Sequence, residues 1–250
     1  MTALLTLARR ELAGHFFSLR GYVIMAGVQL LLGASLLTVI YLLNGLAYDL
    51  PFTEKFPQTE FFWLVLLMVA PVITMRSFAM ERASGTYESL MTAPIGDWQV
   101  VLSKFAGALI FYMILWVPLL ICSVVVRFYV GESAVLGLGT MFTSALGILM
   151  VGCLYMSIGC FASALTRNQA VAAVSGFALG AALFFTGFFS YFAGDRTDWL
   201  SQLARHISLA NHMESLTRGV VDLGAIVFFL SLTGLFLYLT HKVVESRRWK

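Results

Sequence analysis

The sequence predicts an all-α membrane protein that crosses a bilayer six times. Three observations predict it. Hydrophobic residues make up 60% of the 250 residues and charged residues 12%, whereas a soluble domain carries roughly 25% charge. The apolar residues fall into six long runs, and a helix needs about 20 such residues to span the hydrocarbon. Lys and Arg are divided unevenly between the connections on the two sides.

The runs are 22–43, 61–80, 105–126, 134–165, 170–194 and 223–240. The first is interrupted only by Gln29, Ser35 and Thr38. The second holds Pro71 at its middle and Arg76 near its end. The third and fourth carry no charge, and the fourth is long enough for a tilted span with an extension. Strands of a membrane barrel alternate apolar and polar over about 10 residues. These runs are continuous and longer, so helices are expected. The first run starts late and is too long for a cleaved leader, so it reads as a retained helix. With no internal repeat or low-complexity tract, residues 1–250 read as one transmembrane domain.

Two helices are expected outside the spans. Thr2–Arg20 sets Leu4, Leu5, Leu7, Ala8, Leu12 and Phe16 on one broad face against Arg9, Arg10 and Glu11. That pattern suits an amphipathic helix lying in the membrane interface; the alternative is a plain extension of the first span. Trp199–Thr217 places Leu200, Leu203, Ile207, Ala210 and Met213 at helical spacing. It reads as an interfacial or re-entrant helix on the outer side.

Six spans put both termini on one side. That side holds eleven Lys and Arg, among them Arg9, Arg10, Arg20, Arg76, Arg82, Lys104 and Arg167. The other holds five: Lys55, Arg127, Arg196, Arg205 and Arg218. Basic residues mark the cytoplasmic side, so both termini are expected there.

Several function classes are disfavoured. The net charge of +3 comes with no dense basic face, so nucleic-acid binding is not expected. Cys122, Cys153 and Cys160 sit inside apolar runs and read as small hydrophobes. His206 and His212 have no further ligands beside them, so no metal site is expected. A P-loop needs a lysine directly after glycine to cradle phosphates. None of Lys55, Lys104, Lys242 and Lys250 follows a glycine, so no ATP or Mg²⁺ site is expected on this chain. The spans lack the mid-membrane acids that ion-coupled carriers use, which counts against a secondary carrier. No catalytic constellation supports an enzyme.

The informative connection is Arg76–Lys104, which mixes charge, glycine and proline. Gly85 should break a helix, Pro94 and Gly96 should make a turn, and Asp97 is placed to cap the third span. A short helix over about Thr86–Met91 is expected between the breaks. The segment reads either as a solvated loop or as a docking element for a cytoplasmic partner. Arg76 reads either as an ion-pair partner of Glu81 or Glu88, or as a cation snorkelling to the interface. On the fifth span, Ala172, Gly176 and Gly180 form a face of small residues where helices approach closely. It serves a subunit interface or internal packing.

The pattern R-x-F-A-x-E-R-x-x-G-T-x-E-x-L-x-T-x-P, from Arg76 to Pro94, resembles the signature loop of ABC-2 type permeases. Ala8-Arg9-Arg10-Glu11-Leu12 with Phe16 and Ser18 resembles the amphipathic elbow helix of that family. Ala162–Gln169, the stretch from Ser208 to Leu223, and Val244–Trp249 fit as well, and together they are similar to the gliding-motility-type subgroup. Leu19 departs from an expected proline, and Gly224-Ala225 from a common charged pair. The resemblance implies a bacterial inner-membrane permease, an exporter, working as a homodimer or heterodimer over two separate ABC ATPase subunits that bind the ATP and Mg²⁺. It implies a coupling helix between spans two and three, with Glu81, Arg82, Gly85, Thr86, Glu88 and Pro94 as docking residues. Thr166, Arg167 and Asn168 are the implied second contact, and the outer segment before the sixth span the implied cap of the pathway. The rival readings are an ATPase-coupled scaffold or motility subunit that transports nothing, and a secondary carrier.

Overall fold

The computed structural model describes residues 2–43, 59–87, 95–130, 137–192 and 207–248. Among them the secondary structure is helical throughout: α1 (Thr2–Phe16), α2 (Leu19–Leu43), α3 (Glu60–Thr74), α4 (Ala79–Ala83), α5 (Asp97–Val130), α6 (Leu138–Leu165), α7 (Gln169–Phe192), α8 (Leu209–Thr217) and α9 (Leu223–Arg248). Six stretches are long and apolar enough to cross a membrane: α2, α3 with its continuation to Ala83, α5, α6, α7 and α9. The chain is a multi-pass membrane protein.

The core forms around α6, which packs against α3, α5, α7, α8 and α9. Phe62 and Leu66 of α3, Tyr112 and Trp116 of α5, Leu154 of α6 and Phe229 of α9 are fully buried there. By contrast, α2, α7 and α9 turn Leu30, Leu37, Val174 and Val227 outward, as hydrocarbon surroundings permit. Polar groups at this depth have no water to bond, and two of them bond backbone carbonyls of neighbouring helices instead. Gln29 Nε2 donates to the Leu115 carbonyl at 2.8 Å, and the Tyr155 hydroxyl to the Gly180 carbonyl at 3.3 Å.

Three boundaries differ from the sequence expectation, each for a physical reason. The third span begins at Asp97 rather than 105, because Lys104, which reads as a loop charge, is neutralised inside the bundle. Asp97 is the first residue of α5, and Gly96 stands at the cap, its carbonyl accepting from the Gln99 and Val100 N–H groups. The N-terminal helix stops at Phe16, not Arg20. Ser18 makes the break, its hydroxyl donating to the His15 carbonyl and accepting from the Gly21 N–H. Helix α9 outruns its apolar stretch to Arg248, with Lys242 and Glu245 paired across one turn.

The buried face of helix α8 keeps Met213 of the expected stripe but not Ala210. The helix turns Leu209, Met213 and Leu216 inward, and Ala210 is exposed. Met213 lies over Gly147, nine residues and thus roughly 14 Å along α6 from its start. Of the expected stripe, Leu200 and Leu203 lie outside the described residues.

Candidate functional site

The end of the bundle where α2 and α5 begin and α3 and α6 end carries a connected set of polar side chains. It is built on the corner between α3 and α4. Helix α3 holds Pro71, ends at Thr74, and gives way to the turn Met75–Phe78. The freed backbone groups are taken up by one hydroxyl from α6. Ser163 Oγ accepts from the Phe78 and Ala79 N–H groups and donates to the Met75 carbonyl, each at 3.1 Å. A buried hydroxyl thus uses its full bonding capacity to cap α4.

Two neighbours on α4 then tie the corner to other helices. Arg82 donates through Nη1 to the carbonyls of Ala164 and Thr166 at the C-terminal end of α6, where a cation complements the helix dipole. Glu81 Oε1 lies 2.8 Å from Lys104 Nζ of α5 and 3.3 Å from Arg10 Nη2 of α1. Lys104 also donates to Glu11 Oε1 of α1 at 2.8 Å. Its side chain is 2% exposed, and its ammonium lies 5.3 Å from the centre of the Phe78 ring. A buried lysine with two carboxylates and an aromatic face is neutralised where it stands. The close seating of α1 requires Gly107 on α5, where a Cβ would meet Glu11 Cβ at 2.8 Å.

Beyond α4 the chain turns at Gly85, whose φ of +74° is the left-handed region that glycine enters without a Cβ clash. Ser84, Gly85 and Thr86 are exposed, with the Ser84 and Thr86 hydroxyls 2.9 Å apart. Thr86 and Tyr87 are helical; the rest of the short helix expected to Met91, with Glu88 and Pro94, lies outside the described residues. Burial, helped by the carboxylates of Asp97 and Glu81, pushes the Tyr87 hydroxyl up to about 12, so it stays protonated.

The second predicted segment is the turn between α6 and α7. Thr166 Oγ1 accepts from the Asn168 N–H at 3.1 Å, and Asn168 Oδ1 from the Ala170 N–H at 2.9 Å. Asn168 thereby caps α7, and Arg167 and Asn168 are exposed. Because Arg82 bonds the Thr166 carbonyl, the structure joins the two segments into one surface. Ala172, Gly176 and Gly180 face inward: Ala172 is buried, a Cβ on Gly176 would meet Ala162 and Pro71, and one on Gly180 would meet Tyr155.

Arg76 does not pair with Glu81. Glu81 Oε1 is taken by Lys104 and Arg10, and Glu81 Oε2 and Arg76 Nε are each buried with no hydrogen-bond partner. Sequence reasoning missed Glu11, Lys104 and Ser163 as parts of this site. The available signal was a lone lysine abutting an apolar run, facing a lone acid on the amphipathic helix. Among the described residues no three His, Cys, Asp or Glu side chains gather as metal ligands.

The family model of the ABC-2 family transporter proteins matches residues 6–248. The chain belongs to the ABC-2 family. A search of curated proteins finds no match. As an ABC-2 membrane component, the chain is a transmembrane permease subunit, and such subunits generally partner with ABC ATPases. The polar corner therefore sits in a protein whose family receives its work from another chain.

Proposed function

We propose that this chain is the membrane half of an ATP-driven exporter in a bacterial inner membrane, with both termini cytoplasmic, and that α4 with the Gly85 turn receives the ATPase. The observation that carries this reading is the pair Glu81 and Arg82. Adjacent in sequence, they bind α4 to α1, α5 and the end of α6. A displacement of α4 reaches three other helices through short polar bonds. That suits a rigid transmission element driven by a nucleotide-dependent motor. The docking residues are the exposed Ser84–Thr86, with Glu88 and Pro94 following in sequence, together with Thr166 and the exposed Arg167 and Asn168. ATP and Mg²⁺ belong to the partner chain. The permease pairs with a second copy or a related subunit, α1 acts as the elbow helix, and the subgroup is the gliding-motility type.

Co-purification with a separate ABC ATPase and substrate-stimulated ATP turnover in vesicles test the reading. G85A, which cannot hold the turn without strain, should weaken stimulation, and G85N, which tolerates the left-handed region, should retain more of it. R82A should leave ATPase binding intact and loosen the tie between hydrolysis and transport. Unchanged assembly and stimulation in both G85A and R82A would sink the coupling assignment. Stimulation without movement of any cargo favours the scaffold, and transport that follows an ion gradient without ATP favours the secondary carrier.

A further inference from the structure

A cavity of about 920 Å³ lies between α1, the start of α2, and the α3–α4 corner. Its size is at the upper end of small-molecule sites. Its charges do not balance. Two carboxylates, Glu11 and Glu81, line it, and both are engaged by Lys104 and Arg10. Two further cations on the wall, Arg20 and Arg76, have no carboxylate partner among the described residues. Arg76 Nε is buried and lacks a hydrogen-bond partner. His15, also on the wall, stacks on Phe111 at 4.8 Å and is held neutral by burial and by Arg76, against the pull of Glu11.

The rim has the opposite character. Leu19, Val23, Val72 and Met80 line the cavity and are exposed, Leu19 to 82%. In a multi-pass membrane protein, exposed apolar side chains at a helix end face acyl chains. Among the described residues, the site therefore presents two guanidiniums without a carboxylate partner inside an apolar mouth. We propose that this cavity holds the phosphate headgroup of an anionic phospholipid drawn from the adjoining leaflet, with its acyl chains against the apolar rim. A basic pocket between membrane helices recognises such a headgroup through charge and bidentate guanidinium bonds. A free phosphate satisfies the arginines and leaves the rim without a role. The bound lipid pins the α1–α2 break to the end of α3, beside the Glu81–Lys104 pair, and involves no ATPase.

The test is native mass spectrometry of the full-length chain in detergent, titrated with phosphatidylglycerol, phosphatidylcholine or inorganic phosphate. Phosphatidylglycerol should bind the wild type and phosphatidylcholine should not. R20Q and R76Q should each lose about fivefold in apparent affinity, at about 1 kcal/mol per cation. R9Q, an exposed cation of α1 outside the cavity, should bind as the wild type does. Arg20 is exposed, so R20Q leaves folding untouched and carries the test if R76Q is unstable. Equal binding of both phospholipids, undiminished binding to R20Q, or competition by inorganic phosphate at matched concentration would each overturn the proposal.

Discussion

Lys104 holds two carboxylates with one ammonium, and each sits 2.8 Å from its Nζ. The lysine side chain is 2% exposed, and Glu11 and Glu81 are 20% and 18% exposed. Replacing it by methionine keeps the volume and removes the charge. Two half-buried carboxylates are then left with Arg10 alone. Breaking a buried pair by deleting one partner is strongly destabilising, so K104M should lose about 3 kcal/mol, at the low end for such a loss because the carboxylates are partly solvated. The thermal unfolding midpoint in detergent measures it, and E11Q combined with K104M should recover part of the loss. His15 supplies a second prediction, in pH. Burial, reinforced by Arg76 and opposed by Glu11, lowers its pKa below the ordinary 6.5. The folded protein then holds the imidazole neutral while the unfolded chain takes up a proton. Stability is complete above pH 6.5 and falls as pH drops below it, with a slope of at most about 1.4 kcal/mol per pH unit. In H15Q that component between pH 6.5 and 5 should vanish from the unfolding curve.

At the scale of elements, what matters is how α1 meets α5. Gly107 admits the helix so closely that any Cβ meets Glu11 Cβ at 2.8 Å, and Glu11 is the residue that reaches Lys104. G107A should push α1 outward, lengthen the Glu11–Lys104 contact and cost roughly 1–3 kcal/mol. Faster proteolysis at the Phe17–Ser18 break in G107A would report the loosening; an unchanged cleavage rate would show that α1 adapts without leaving α5. The same elements show where sequence was sufficient. The spans were legible because hydrocarbon demands length and apolarity, and both are local properties of a run. Gly85 was legible because a left-handed turn is a property of one residue. Lys104 was not, because its neutralising partner Glu11 lies 93 positions away and a charge shows no partner until the helices are packed. The Ser163 cap was equally hidden, since it joins residues 85 and 84 positions apart. On α8, Met213 of the expected stripe seats over Gly147, whereas Ala210, with too little surface to compete, is exposed.

For the whole molecule, the unpaired and paired cations described above collect at one end of the bundle. Arg10, Arg20, Arg76, Arg82 and Lys104 surround the α3–α4 corner, Arg167 lies at the α6–α7 turn, and Lys242 lies near the end of α9. Carrying so many charges across a bilayer during insertion is far costlier than retaining them, which is the physical basis of the basic-inside bias. That end, with both termini, should therefore face the cytoplasm. Single cysteines at Ser84 and Arg167 mark that end, and one at Val220, which is 60% exposed beside the start of α9, marks the other. In intact cells, a membrane-impermeant maleimide should label V220C and leave S84C and R167C unmodified until the membrane is opened. Cys122, Cys153 and Cys160 all lie within helices that cross the membrane, so the native chain supplies the background to subtract. Labelling of S84C and R167C from outside, with V220C protected, would invert the topology and place the Gly85 turn out of reach of any cytoplasmic ATPase. Labelling at both ends from outside would mean that an even number of crossings separates Arg167 from Val220, so that α7 does not cross as a single span. The experiment thus tests the single crossing by α7 and the direction of the cationic end together, and the direction must hold for α4 to face a cytoplasmic motor.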